Sequence, residues 1–96
     1  MTYDLILTNA YKKGYKRMKK RGMDMSLLDD VVDKLRRGET LDAQKYDVHK
    51  LQGKYAGFYD RHIAADRVLI YMIENDILTL TLSDTGTHQD IKGWGY

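Results

Sequence analysis

The chain switches between two hydrophobic periods. "YDLILT", residues 3–8, alternates with a period of two and ends at Thr8-Asn9, which predicts a short strand running into a helix N-cap. From Ala10 to Arg21 the apolar positions Tyr11, Tyr15 and Met18 fall at i, i+4 and i+7, one face of a helix otherwise covered by Lys and Arg. Gly22 is a helix stop. Asp24 or Ser26 then caps a second helix, with Met25, Leu28, Val32 and Leu35 as its apolar stripe. Arg36 and Arg37 occupy its last turn, where cations suit the helix dipole, and Gly38 ends it.

Residues 38–54, "GETLDAQKYDVHKLQGK", lose periodicity and read as one long loop, a length usually associated with function or disorder. Three strands follow: "YAGFYDRHI", "RVLIYMI" and "ILTLTLS". The second is apolar on both faces, as a central strand requires. The third places Leu78, Leu80 and Leu82 on one face and Ile77, Thr79 and Thr81 on the other. Glu74-Asn75-Asp76 signals a hairpin turn between them. The expected order is β-α-α-β-β-β: an α+β domain spanning 1–96, with two N-terminal helices packed on a mostly antiparallel sheet.

Composition narrows the chemistry. With 43% hydrophobic residues the chain is globular in type, and 96 residues make one small domain. The absence of Cys excludes a disulfide scaffold, a thiolate metal site and a Cys nucleophile, and it fits a reducing compartment. No signal peptide is visible, and no apolar run approaches the roughly 18 residues of a membrane helix. A soluble cytoplasmic protein with no membrane partner is expected.

The net charge of +2 conceals an asymmetry. Residues 1–22 carry Lys12, Lys13, Lys16, Arg17, Lys19, Lys20 and Arg21 against Asp4 alone, whereas the rest carries nine basic and thirteen acidic residues. A basic helix of this kind is often just a solvated face, but it can also hold a polyanion.

Three histidines, His49, His62 and His88, stand at edges between segments. Taken singly, each reads as a loop or surface residue, and Asp66 as turn chemistry before a strand. Three His and one Asp could form a zinc site, but no two of these histidines have close ligand spacing, so no metal or cofactor is expected.

Their context is more specific. His49-Lys50-Leu51-Gln52-Gly53, then Gly57 through His62, then Asp66 before Leu69-Ile70-Tyr71, then Thr85-Gly86-Thr87-His88 occur in order and with close spacing. This half of the chain resembles the YafQ-like branch of the RelE/ParE superfamily of bacterial toxin–antitoxin toxins. The N-terminal half agrees in element order only. The resemblance implies a RelE-like fold and an mRNA endoribonuclease that acts on messages in the ribosome and is restrained by a cognate antitoxin protein. It puts His49, His62, Asp66 and His88 on catalytic positions.

Those residue types suit metal-independent RNA cleavage. A base must take the ribose 2′-OH proton, an acid must protonate the leaving 5′-oxygen, and positive charge must steady the phosphorane-like transition state. The residues leave open which histidine is base and which is acid. The basic helix is expected to meet ribosomal RNA, and Tyr46, Tyr55, Tyr59 and Trp94 are candidates for stacking on bases.

The chain departs from the family pattern at several places. Asp84 replaces an Arg before Thr-Gly-Thr-His, Tyr59 replaces an Arg after the strand glycine, and Ala65 and Arg67 replace Pro and Trp around Asp66. Ile91 stands for a terminal Phe. Arg61 and Arg67 are the neighbouring cations that could serve the phosphate, so Arg61, Arg67, Tyr59 and Ile91 form the expected substrate-binding set. Two other readings stay open: a ParE-like topoisomerase poison, and a catalytically weakened toxin kept for antitoxin binding and autoregulation.

Overall fold

The computed structural model describes residues 2–38, 48–51, 53–64, 66–74 and 76–94. The expected Glu74-Asn75-Asp76 turn falls partly outside these residues, as do Tyr46 and most of the expected 38–54 loop. The elements are β1 (Asp4–Leu7), α1 (Asn9–Lys20), α2 (Ser26–Arg36), β2 (Val48–Lys50), β3 (Tyr59–Ala64), β4 (Arg67–Glu74) and β5 (Thr79–Thr87). Short 3-10 turns lie at Gly53–Tyr55 and Lys92–Trp94. The sheet order is β1-β5-β4-β3-β2, with β1 parallel to β5 and every other pair antiparallel. The α+β class and the two-helix layer therefore stand, with one strand more than expected.

That extra strand corrects the long-loop reading. Val48, His49 and Lys50 pair with Arg61, Asp60 and Tyr59. Three residues are too few for alternation to announce a strand. A second correction concerns α2. Its buried stripe is Leu28, Val31 and Leu35, joined by Met25, while Val32 is half-buried at the rim. Adjacent valines are equivalent in pattern, and only the position of the sheet chooses between them.

The helices share one face of the sheet, hereafter the helix face. Tyr11 and Met18 of α1 and Leu28, Val31 and Leu35 of α2 bury against Ile63, Leu69, Tyr71, Leu80 and Leu82. Thr8 begins α1: its Oγ1 accepts from Tyr11 N at 3.1 Å, in the manner of an N-cap. The same hydroxyl lies 2.8 Å from Ser83 O and 3.1 Å from Leu82 O. The β4–β5 register shifts between Ile70 and Tyr71, where Leu82 and Asp84 are the consecutive partners, so Ser83 is the bulged residue. Thr8 thus ties the start of α1 to an irregularity of β5. Further along, a Cβ on Gly14 would stand 2.1 Å from Thr85 O. Only glycine lets the helix approach the strand this closely.

The opposite face carries a smaller cluster: Val68, Ile70 and Ile91, with Leu51, Phe58 and Trp94 packed on it. The C-terminal tail covers this side, hereafter the tail face. Among the described residues no helix is long and apolar enough to cross a membrane.

Candidate active site

Strand β3 alternates between the two faces. Tyr59 and Ile63 join the helix-face core, and Arg61 is buried beside Tyr71. His62 lies on the other side, opposite Val68 of the tail-face cluster. The β3–β4 register shifts between His62 and Ala64, a bulge of the kind that re-aims side chains. Asp66 sits in the turn between the two strands. β5 runs antiparallel to β4 and ends beside that turn, which brings in His88.

These three side chains form a chain of contacts. His88 Nδ1 lies 2.8 Å from Asp66 Oδ1, and the His88 backbone N–H donates to the same oxygen at 3.4 Å. The other His88 nitrogen, Nε2, faces His62 Nε2 at 3.0 Å. If Asp66 accepts from Nδ1–H, the neutral His88 ring presents an unprotonated Nε2 toward His62. The hydrogen bond from His88 is the main cause holding the Asp66 carboxyl below its ordinary range. Asp66 is 65% exposed in its side chain and His88 37%, so solvent and a large substrate can reach both.

Backbone register puts His49 directly opposite Asp60, two residues before His62. The His49 side chain lies outside what is described. The other expected site residues separate from the cluster. Arg61 is buried on the helix face, with Nη2 at 3.4 Å from Tyr71 OH. Arg67 donates to the Asp24 carbonyl in the α1–α2 connection. Tyr59 stacks on Tyr71 with ring centroids 5.5 Å apart. Ile91 is buried in the tail-face cluster. The four residues of the expected substrate-binding set are thus not brought to the cluster, and strand alternation explains most of the separation. Neighbours in sequence stand on opposite faces, so Tyr59 and Arg61 cannot share the face of His62.

Asp84, where the family pattern has Arg, is also engaged. Its Oδ2 accepts from Trp94 Nε1 at 2.9 Å and its Oδ1 from Thr85 N at 2.8 Å. Trp94 packs on Tyr55 and Phe58, at 4.9 and 5.0 Å between ring centroids. The expected stacking residues Tyr55 and Trp94 therefore meet each other, and Asp84 anchors the tail through Trp94.

The basic helix divides in two. Lys16, Lys19 and Lys20 line one exposed pocket. Arg17 and Arg21 instead reach Asp90, two residues past His88. Asp90 escaped the sequence reading; its one signal was its place three residues after Thr87, where a carboxylate can fold back on a strand end. A separate apolar groove of about 330 Å³ runs between β1 and the helices, lined by Leu5, Leu7, Tyr11, Tyr15 and Val32. It holds one carboxylate, Asp29, which accepts from Tyr15 OH, and no histidine.

Known proteins match this arrangement. The sequence is 31% identical to the mRNA interferase toxin YafQ of Escherichia coli K12 over 90 residues, which cover 94% of this chain and 96% of that one. The crystal structure of the E. coli DinJ-YafQ toxin–antitoxin complex superposes with a TM-score of 0.83 at 30% identity, covering 93% of this chain and 96% of that one. A metal-bound toxin from Helicobacter pylori gives 0.83 at 31%, covering 95% and 99%. The family model of YafQ, the bacterial toxin of a type II toxin–antitoxin system, matches residues 3–93. The chain belongs to the YafQ family of bacterial type II toxins.

Proposed function

We propose that this toxin is an mRNA endoribonuclease that cuts messages on the ribosome by metal-independent acid–base chemistry and is silenced by a cognate antitoxin protein. The observation that carries this reading is the Asp66–His88–His62 relay, with one carboxylate and two facing imidazole nitrogens. When one ring of the pair is protonated it donates to its neutral partner, so a base and an acid are present together at one contact. A ribose-phosphate entering between them would meet both. One ring takes the 2′-OH proton as O2′ attacks phosphorus. The other protonates the departing 5′-oxygen, which leaves a 2′,3′-cyclic phosphate.

Asp66 holds the His88 ring in orientation and stabilises it when charged. His49 is the third imidazole, on the strand that pairs with β3, opposite Asp60 and two residues before His62. The imidazolium itself supplies positive charge to the phosphorane, since Arg61 and Arg67 are occupied elsewhere. Lys12, Lys13, Lys16, Lys19 and Lys20 meet ribosomal RNA, with Arg17 and Arg21 beside them. A toxin that acts on translating ribosomes would work in the cytoplasm.

Expression without antitoxin, followed by pulse labelling, is expected to show protein synthesis falling first, with new message 5′ ends at ribosome-covered positions. A prior collapse of DNA synthesis would favour the topoisomerase reading. Charge reversal of the five lysines should weaken ribosome binding with a reduced salt slope; unaltered binding removes them from the interface. The two facing ring nitrogens are also a donor set that transition metals accept, although no group of three ligands converges among the described residues. Cleavage that persists in chelator supports the metal-free route. Loss in chelator, restored by a transition metal, overturns that part of the mechanism.

A further inference from the structure

His88 stands in a turn, and a turn residue keeps its aim only if both sides are held. Asp66 grips one side. The other grip is Asp90, which folds back on the end of β5. Its Oδ2 accepts from Thr87 N at 3.1 Å, while its own N–H donates to Thr87 Oγ1 at 3.2 Å. Ile91 N–H donates to Thr87 O at 3.1 Å and closes the turn. The carboxylate then receives Arg21 in a fork, Nη1 at 2.8 Å and Nη2 at 3.2 Å. Arg17 Nη1 adds a third contact at 3.6 Å.

The fit is tight. A Cβ on Gly86 would stand 2.8 Å from the Asp90 Cβ, so the strand must be bare there for Asp90 to seat. The Asp90 side chain is only 12% exposed, although both arginines are 44% exposed. Arg21, the largest cause, holds its carboxyl down to about 2. A forked guanidinium–carboxylate pair fixes orientation as well as distance. The same carboxylate therefore binds the C-terminal turn of α1 to the residue next to His88.

We infer that Asp90, clamped by Arg21 and Arg17, is a positioning residue: it locks the Thr87–Ile91 turn so that His88 meets His62 and Asp66. Two of the seven N-terminal cations are thereby assigned to aiming the active site. The inference rests on His88 acting in catalysis, as proposed above.

The test compares Asp90→Ala, Arg21→Ala, their double variant and Asp90→Glu in the full chain. Single-turnover message cleavage is measured at saturating ribosomes, with ribosome affinity measured separately. Nitrogen-15 spectra follow the His88 ring. Asp90→Ala is expected to slow cleavage about tenfold, inside the 10²-fold that a displaced catalytic group costs, with ribosome affinity unchanged. The double variant should be no slower than Asp90→Ala, because both changes open one clamp. Asp90→Glu should recover part of the rate. In the spectra, Asp90→Ala should lose the protected Nδ1–H signal that marks the bond to Asp66. A folded Asp90→Ala protein with parental rate and parental His88 signals overturns the inference. If the parent itself cuts no message, the proposed function fails, yet the ring spectra still decide the positioning. If Asp90→Ala does not fold, the isosteric Asp90→Asn takes its place under the same criteria.

Discussion

The two faces of the sheet do different work. On the helix face, apolar residues from both helices and four strands merge into one core, and a few polar side chains enter it. Thr85 Oγ1 donates to Val68 O at 2.9 Å, and Arg61 lies against the Tyr71 ring. On the tail face the core is a patch of three buried residues and their neighbours, and His62 and His88 meet at its edge, at the end of β3 and β5. A site that must admit RNA cannot be buried, and a 96-residue chain cannot leave two faces open. Stability is therefore concentrated on one side and the proposed chemistry on the rim of the other.

A substitution on each face should separate the two. Leu80→Ala empties a fully buried position on the helix face and should cost about 2–5 kcal/mol by denaturant melting, with activity lost only as the folded fraction falls. His88→Ala should do the reverse: cleavage drops about 10²-fold or more, while stability moves by under about 0.5 kcal/mol. Equal effects of both on melting and on rate would erase the division between the faces.

Thr8→Ala sharpens the comparison, because Thr8 serves the helix face from outside the core. Losing the cap and the contact to Ser83 O should cost about 1 kcal/mol, and Thr8→Ser should recover most of it. A Thr8→Ser protein as unstable as Thr8→Ala would deny the hydroxyl its role. Asp84→Arg probes the tail face. Restoring the family's arginine removes the acceptor of Trp94 Nε1, so the expected outcome is lower stability, by about 1–3 kcal/mol, read with Trp94 fluorescence.

The smallest effect concerns acid. The Asp90 carboxyl is held at about 2 in the folded chain, below the roughly 3.9 of an unfolded aspartate. The stability it adds is fully present above about pH 4 and is lost as pH falls through about 2. Melting temperatures of the parent and Asp90→Asn should differ near neutral pH and converge toward pH 2. A gap that stays constant through that window would place the carboxylate elsewhere in the ledger of ion pairs.

Much of the fold was readable because it rests on local rules. The Thr8 cap, the Tyr11–Met18 stripe and the alternation of β1 and β5 are all periodic or positional signals. Where those signals were short or degenerate, reading failed. β2 is three residues long, Val31 and Val32 differ only in phase, and β5 continues through Thr85, Gly86 and Thr87 although these residues look like a turn. Strand pairing with β4 carries β5 through Thr87, so the chain turns only after His88 begins to leave the sheet.

For the site, residue types and ordered motifs pointed to His62, Asp66 and His88, whose convergence the geometry provides. The charged set around them could not be read in the same way. Arg61 and Arg67 sit near the histidines in sequence but lie on the far side of the sheet, because a strand sends adjacent side chains in opposite directions. Arg17 and Arg21 are about seventy residues from Asp90 and meet it only because α1 packs beside the end of β5. The sequence by itself determined most of the elements, the face that α1 buries and the chemical types available for catalysis, since these depend on neighbours within a few residues. Where Arg17, Arg21, Arg61 and Arg67 make their contacts, what Asp84 holds and which groups His88 meets were decided by the tertiary structure, because each depends on contacts between elements that no local period encodes.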